Sequence, residues 1–82
     1  MAVQLEFTVE PFDPGAPGPH VKAAEDAARA AGGKVAVGPF GTVVTGELGD
    51  VSDAVGNVVR AAMAAGAVRI TLQVSTGDGD GG

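Results

Sequence analysis

The strict alternation of apolar and polar side chains in residues 2–10 constrains the fold of this chain most strongly. A period of two, with β-branched and aromatic residues, is typical of a strand that has one buried face. Residues 67–75 alternate in the same way. The inward positions predicted for these two strands are Val3, Leu5, Phe7 and Val9, and Val68, Ile70, Leu72 and Val74.

Two helices are predicted between these strands. After a loop rich in proline and glycine, Pro19 suits a first helical turn, and apolar positions at a period of 3.6 continue to Ala31. The Gly-Gly pair that follows predicts the end of this helix. Asp50 is predicted to cap a second helix over residues 51–65.

Residues 34–38 and 42–47 are extended segments joined by a Gly-Pro-Phe-Gly turn, which predicts a β-hairpin. The order is therefore β-α-β-β-α-β, and right-handed crossovers place both helices on one face of the sheet. The predicted fold class is α+β, a ferredoxin-like sandwich whose four antiparallel strands have the order 4-1-3-2. We expect the domain to span residues 1–75 and the Gly/Asp-rich tail, residues 76–82, to be disordered.

The apolar residues that must form the core are small. Of the 82 residues, 15 are Ala and 13 are Val, and none is Cys. Disulfides and thiolate metal sites are therefore excluded, and the core is thin for a single small domain. Because such domains usually need an additional source of stability, we expect a homo-oligomer.

The charge balance indicates the kind of partner. The net charge is −5, and the five basic residues are scattered. Nucleic acid and anionic membrane surfaces are therefore not expected as partners, whereas a small cation is favoured. Without a basic-then-apolar leader or a long apolar run, the expected location is cytoplasmic.

The sheet face opposite the helices is predicted to be polar. It would carry alternate residues of the first and last strands, namely Gln4, Glu6, Thr8 and Glu10, with Arg69, Thr71, Gln73 and Ser75. Two interpretations stay open, a solvated face or a sheet-to-sheet subunit contact with a ligand pocket nearby. Val43 and Val44 are adjacent, so one must lie on this face, which favours the contact.

No catalytic group of residues emerges from the sequence. His20, at the start of the first helix, could bind a ligand or transfer protons, but it has no partner at a useful spacing and is expected to be exposed. Glu6 and Glu10 lie roughly 13 Å apart along one strand, too far to act as a pair on one bond. We therefore predict no catalytic residue and no metal site.

Two phenylalanines lie where strands end. Phe40 is in the hairpin turn, and Phe12 follows the first strand. Each could cap the core or provide a ring on which a heteroaromatic or cationic ligand stacks, a contact worth roughly 0.5–2 kcal/mol.

The hairpin segment Gly-Pro-Phe-Gly-Thr-Val-Val-Thr-Gly-Glu-Leu, residues 38–48, resembles the signature of the small YkoF-like thiamine-binding proteins. The likeness includes Leu-Glu-Phe-Thr-Val-Glu-Pro-Phe at 5–12 and Ala-Ala-Gly-Ala-Val-Arg at 64–69, and it extends over residues 3–75. The resemblance implies a ferredoxin-like subunit that assembles through its sheets into dimers or tetramers. It also implies binding of thiamine or its hydroxymethylpyrimidine part, with neither catalysis nor a further cofactor.

Side chains around the hairpin and the first and last strands could recognise such a ligand. Hydroxyl and amide groups could hydrogen-bond to a pyrimidine edge, and a carboxylate could complement a thiazolium cation. The family often has Glu just before the second glycine of the hairpin, where this chain has Thr45, and Glu47 follows that glycine. The candidate ligand-binding residues are Thr8, Phe12, Phe40, Gly41, Thr42, Thr45, Glu47 and Gln73.

Two other classes of function stay open. One is a structural or regulatory oligomer that binds no small ligand. The other is a small ferredoxin-like isomerase or hydrolase, for which only Arg69 and His20 could supply the positioned cation that such enzymes need.

Overall fold

A computed structural model describes residues 1–12, 15, 18–38 and 41–76. Its elements follow the predicted order: β1 (Ala2–Glu10), α1 (Pro19–Ala30), β2 (Lys34–Val37), β3 (Thr42–Glu47), α2 (Leu48–Ala64) and β4 (Arg69–Thr76). The last strand thus includes Thr76, which was assigned to the tail, and residues 77–82 lie outside the described part. Neither helix is long and apolar enough to cross a membrane, in the part of the chain that the structure describes.

The four strands form one antiparallel sheet in the order β2-β3-β1-β4, with β1 between β3 and β4. This is the predicted topology, and the ferredoxin-like prediction is confirmed. The register places Leu5 opposite Val44 on one side and Val74 on the other. It also brings the polar residues of β1 and β4 together, with Glu6 opposite Gln73.

The core lies between the helix side of the sheet and the two helices, which pack against each other. The sheet contributes the fully buried side chains of Leu5 and Val44, and α2 contributes those of Val51 and Val58. Val43, by contrast, is half-buried on the opposite face, as expected for one of two adjacent valines. The helices contribute mostly alanine to the core (Ala24, Ala28, Ala54 and Ala62), and these small side chains permit close packing.

The helix limits follow from backbone chemistry. In α1, Pro19 occupies the first turn, and Gly32 beyond its end has φ +93°, a conformation that favours glycine. The predicted cap of α2 is wrong, because the helix begins at Leu48 and Asp50 lies inside its first turn. The strand β3 runs directly into α2, and the Leu48 N–H donates to the Met1 carbonyl oxygen (3.0 Å).

Two valines predicted to face inward, Val68 and Val74, are exposed, and so is Val37 of β2. Val68 is 75% exposed because β4 begins only at Arg69, and its N–H donates to the Glu10 carbonyl oxygen (2.8 Å). Val37 and Val74 are each 53% exposed although their register places them on the helix side. They lie on the two edge strands, where the helices cover the sheet least.

Candidate functional site

The sheet opens at one end of the β1–β3 pair. The last residues paired across these strands are Phe7 and Thr42, and from Thr8 onward β1 pairs only with β4. The hairpin turn is closed by the Gly38 N–H, which donates to the Gly41 carbonyl oxygen (2.8 Å). Two pockets form at this end of the strand pair, one on each face of the sheet.

The first, which we call the helix-side pocket, lies between the sheet, the hairpin and α1. Its volume is about 230 Å³. Most of its lining side chains are apolar, namely Phe7, Val9, Phe12, Val21 and Val37. The others are Thr8, Thr42, Glu10 and Glu25, together with the backbone of Gly38 and Gly41. Most of its lining is therefore apolar, and two threonines and two glutamates complete it.

The second, which we call the open-face pocket, has a volume of about 240 Å³. It shares four residues with the helix-side pocket: Phe7, Thr8, Gly41 and Thr42. The others are Glu6, Val43, Thr71 and Gln73 from three adjacent strands. Most of its lining residues are therefore polar, although Val43 contributes an apolar surface.

The charged groups of the helix-side pocket are both acidic. The Arg69 Nε donates to a carboxylate oxygen of Glu10 (3.1 Å). Glu25 is half-buried and forms no ion pair within the described ranges. No Lys, Arg or His lines either pocket among these residues. The pocket is therefore suited to an apolar or aromatic ligand that carries positive charge.

Glu25 is not among the predicted site residues, although the periodicity of α1 indicates where its side chain lies. It follows Val21 by four residues in α1, so the two side chains lie on the same face of the helix. Val21 falls on the apolar face of α1, and the same periodicity places Glu25 beside the core. A charged residue at such a position is usually expected to face solvent, whereas the structure places Glu25 in the pocket lining.

His20 was expected to be exposed, and this expectation is wrong. Its side chain is buried, and its Nε2 hydrogen-bonds with the Pro11 carbonyl oxygen. A Cβ at Gly18 would lie 2.6 Å from the His20 Cε1, so glycine leaves room for the ring. The residues that follow Pro11 and His20, Phe12 and Val21, both line the helix-side pocket. This hydrogen bond therefore connects the end of β1 to α1 beside the pocket.

Gly41 allows the hairpin to approach β1 closely. A Cβ at this position would lie 3.0 Å from the Phe7 carbonyl oxygen and 3.3 Å from the Thr8 Cγ2. The close approach brings Gly41 into the lining of both pockets.

The structure brings together five of the predicted ligand-binding residues. Thr8, Gly41 and Thr42 line both pockets, Phe12 lines the helix-side pocket, and Gln73 lines the open-face pocket. Phe40 lies outside the described residues.

Thr45 and Glu47 line neither pocket. They are near the opposite end of β3, with Thr45 roughly 10 Å along the strand from Thr42. The Glu47 carboxylate accepts a hydrogen bond from the Met1 ammonium (2.9 Å).

The described residues contain no group of three His, Asp or Glu side chains placed to hold a metal ion. The fold and the pocket together define a class of protein, a ferredoxin-like domain with a largely apolar pocket beside its hairpin whose charged lining residues are acidic. The chain belongs to the thiamine-binding protein family, whose sequence profile matches residues 5–82. No curated protein matches it significantly.

Solved structures with the same fold include proteins from bacteria and an archaeon. A proposed thiamine biosynthesis/salvage protein from Thermotoga maritima is 26% identical, with a TM-score of 0.67, over 92% of this chain and 81% of that one. A hypothetical protein from Methanocaldococcus jannascii is 23% identical, with a TM-score of 0.68, over 90% and 76%. A domain of unknown function from Bacillus cereus is 24% identical, with a TM-score of 0.65, over 92% and 73%. The family and the Thermotoga relative support a thiamine-related role.

Proposed function

We propose that this protein binds thiamine or its hydroxymethylpyrimidine moiety in the helix-side pocket and catalyses no reaction on it. The observation that carries the proposal is an apolar pocket whose lining also includes two acidic residues, Glu10 and Glu25. Thiamine combines two heteroaromatic rings with a permanent positive charge. Membership of the thiamine-binding family supports this choice of ligand.

The size of the pocket favours the pyrimidine ring as the buried part of the ligand. Pockets that enclose a whole drug-sized ligand have volumes of about 300–1,000 Å³. The helix-side pocket, at about 230 Å³, has room for one ring. The proposal therefore places the pyrimidine inside and the thiazolium at the entrance.

Each part of the lining has a role in this arrangement. Phe12 provides a ring for stacking, and the hydroxyls of Thr8 and Thr42 offer hydrogen bonds to the pyrimidine edge. The carboxylates of Glu10 and Glu25 complement the positive charge of the ligand. The pocket lacks an unpaired cation or a metal cluster among the described residues, and the proposal assigns none.

We further propose that the protein works as a homodimer or homotetramer that assembles through the open face of the sheet. Among the described residues, the largest fully buried side chains are a leucine and three valines, and small cores of this kind gain stability from association. Val43 adds apolar surface to that face. Gln73 and the rest of the open-face pocket would then lie at the subunit contact.

Isothermal titration calorimetry of the purified protein with thiamine and with hydroxymethylpyrimidine tests the proposed function. We expect saturable heats for both ligands, with one site per subunit. Flat traces for both ligands at protein concentrations well above the expected dissociation constant would overturn the proposal. Light scattering on the same sample measures the oligomeric state.

Two pocket-filling variants test which pocket is used. Val21→Phe places a ring in the helix-side pocket, and we expect it to weaken thiamine binding roughly tenfold or more, equivalent to about 1.4 kcal/mol. Its matched control, Thr71→Phe, places the same ring in the open-face pocket, at the proposed subunit contact, so it should change the oligomeric state but leave the affinity within about twofold. The reverse result would assign the ligand to the open face.

A further inference from the structure

We infer that Glu25 makes the helix-side pocket selective for the unphosphorylated cation and against its phosphate esters. The inference rests on the proposed function and names the chemical form of ligand that the site accepts. The relevant observation is the sign of the charges, because both ionisable side chains that line the pocket are carboxylates. A phosphate ester adds roughly 1.5–2 negative charges near neutral pH.

Glu25 has no cation that would neutralise it. The two basic residues nearest to it in α1 are Lys22 and Arg29, and both pair with Asp26 on the exposed side of the helix (3.1 and 3.5 Å). Glu25 itself is half-buried and forms no ion pair with any described residue. Its charge is therefore available to a ligand and only partly screened by water.

The charge of Glu10, unlike that of Glu25, is balanced, because the Arg69 Nε lies 3.1 Å from its carboxylate. Two carboxylates and one guanidinium leave one net negative charge at the pocket, and it belongs to Glu25. Arg69 is not part of the lining, so a phosphate could use it only by competing with Glu10.

Two backbone positions at the start of α1 offer no donor to a phosphate. Helix N-termini bind phosphate through their free N–H groups. Here Pro19 has no N–H, and the Val21 N–H donates to the Gly18 carbonyl oxygen (3.1 Å). A phosphate at this pocket would thus meet a carboxylate and find fewer free N–H donors than a helix N-terminus usually offers.

Titration calorimetry with thiamine and thiamine monophosphate measures this selectivity. At low ionic strength we expect the wild-type protein to bind thiamine roughly tenfold or more tightly than the monophosphate. Glu25→Gln keeps the size of the side chain and should reduce the ratio several-fold, by weakening thiamine and strengthening the ester. Glu25→Lys should bring the two affinities close together or reverse their order.

Changes at Asp53 are the matched controls. Asp53 is exposed on α2 and lines neither pocket. Asp53→Asn and Asp53→Lys change the net charge by the same amounts as Glu25→Gln and Glu25→Lys, and they should leave the ratio of the two affinities unchanged. Circular dichroism checks the fold, and Glu25→Gln alone carries the test if the lysine variant does not fold.

The possible failures are distinguishable. If wild-type protein binds the monophosphate as tightly as thiamine, the inference about Glu25 is overturned while the proposed function stands. An equal fall of the ratio in the Asp53 controls would also overturn it, because net charge rather than Glu25 would then set the preference. If neither ligand binds, the proposed function fails and the inference fails with it.

Discussion

The helix-side and open-face pockets lie at the same end of the sheet, on its two opposite faces. Their volumes are about 230 and 240 Å³, and they share Phe7, Thr8, Gly41 and Thr42. Their chemistry differs because successive residues of a strand point to opposite faces. The helix side receives Val9 and Val37, whereas the open side receives Glu6 and Gln73.

The helix α1 makes the second difference between them. It supplies Val21 and Glu25 to the helix-side pocket, which is thus enclosed by a helix, a sheet and the segment after β1. The open-face pocket is built from strands and their turn alone. One pocket therefore depends on how α1 and Phe12 are held, and the other depends only on the sheet.

The largest expected effect comes from removing a side chain on which both pockets depend. Phe7 is buried in the core, and Phe7→Ala should lower the free energy of unfolding by about 3–5 kcal/mol. Phe12 is 44% exposed and lines only the helix-side pocket, so Phe12→Ala should cost less than about 1.5 kcal/mol.

Urea denaturation followed by far-ultraviolet circular dichroism measures both variants, because the chain has neither Trp nor Tyr. Phe12→Ala should nevertheless weaken thiamine binding. Equal stability losses for the two variants would show that Phe12 is as much a core residue as Phe7.

The next largest effect should distinguish the two pockets, because it is expected at the helix-side pocket. His20→Ala removes the partner of the Pro11 carbonyl and should lower stability by about 1–3 kcal/mol. Since this hydrogen bond lies beside Phe12 and Val21, thiamine affinity should also fall several-fold. His20→Gln, whose amide N–H can donate to the same oxygen, should recover much of the affinity.

Calorimetry on the folded fraction of each variant distinguishes positioning from stability. A His20→Ala protein that binds thiamine as tightly as wild type would show that the hydrogen bond supports the fold but does not shape the pocket.

A smaller effect is expected where the pockets meet. Gly41→Ala would place a Cβ 3.0 Å from the Phe7 carbonyl oxygen, so the hairpin must move from β1, at a cost of about 1 kcal/mol. Gly49→Ala is the control, because a Cβ there meets nothing within 4 Å and alanine favours the helix by roughly 0.5–1 kcal/mol. The two substitutions should therefore shift the urea midpoint in opposite directions, and a shared direction would show that Gly41 tolerates the added atom.

The sequence predicted the parts of this comparison that depend on period. Alternation in β1 and β4 was sufficient for the polar open face, because each position follows from its neighbours. The strand order followed from the order of the elements and the right-handed crossovers. The separation of Val43 from Val44 followed from the same rule. Periodicity could not show where strand pairing stops, and this is why Val68 was placed inward although β4 begins after it.

The candidate site was predictable only in part, because it joins segments distant in sequence. Phe12 was found through its position after a strand end, whereas Thr8 and Gly41 were found through the family resemblance. The burial of His20 depends on Pro11, nine residues earlier, and no local pattern indicates that contact. Thr45 and Glu47 were proposed from family resemblance, and the structure places them outside both pockets, so their role in binding stays a prediction.

The smallest expected effect tests the electrostatic side of the comparison. Arg69 and Glu10 form an ion pair whose side chains are 71% and 43% exposed, and such pairs contribute at most about 1 kcal/mol. Arg69→Gln should therefore leave the urea midpoint almost unchanged. It also frees the Glu10 carboxylate at the helix-side pocket, so thiamine should bind up to a few-fold more tightly at low salt, with the gain lost as salt is added.

Arg60→Gln removes the same charge from exposed α2, outside both pockets, and should not alter affinity. If both variants tighten binding equally, the net charge of the protein attracts the ligand; if only Arg69→Gln does, the attraction arises within the pocket.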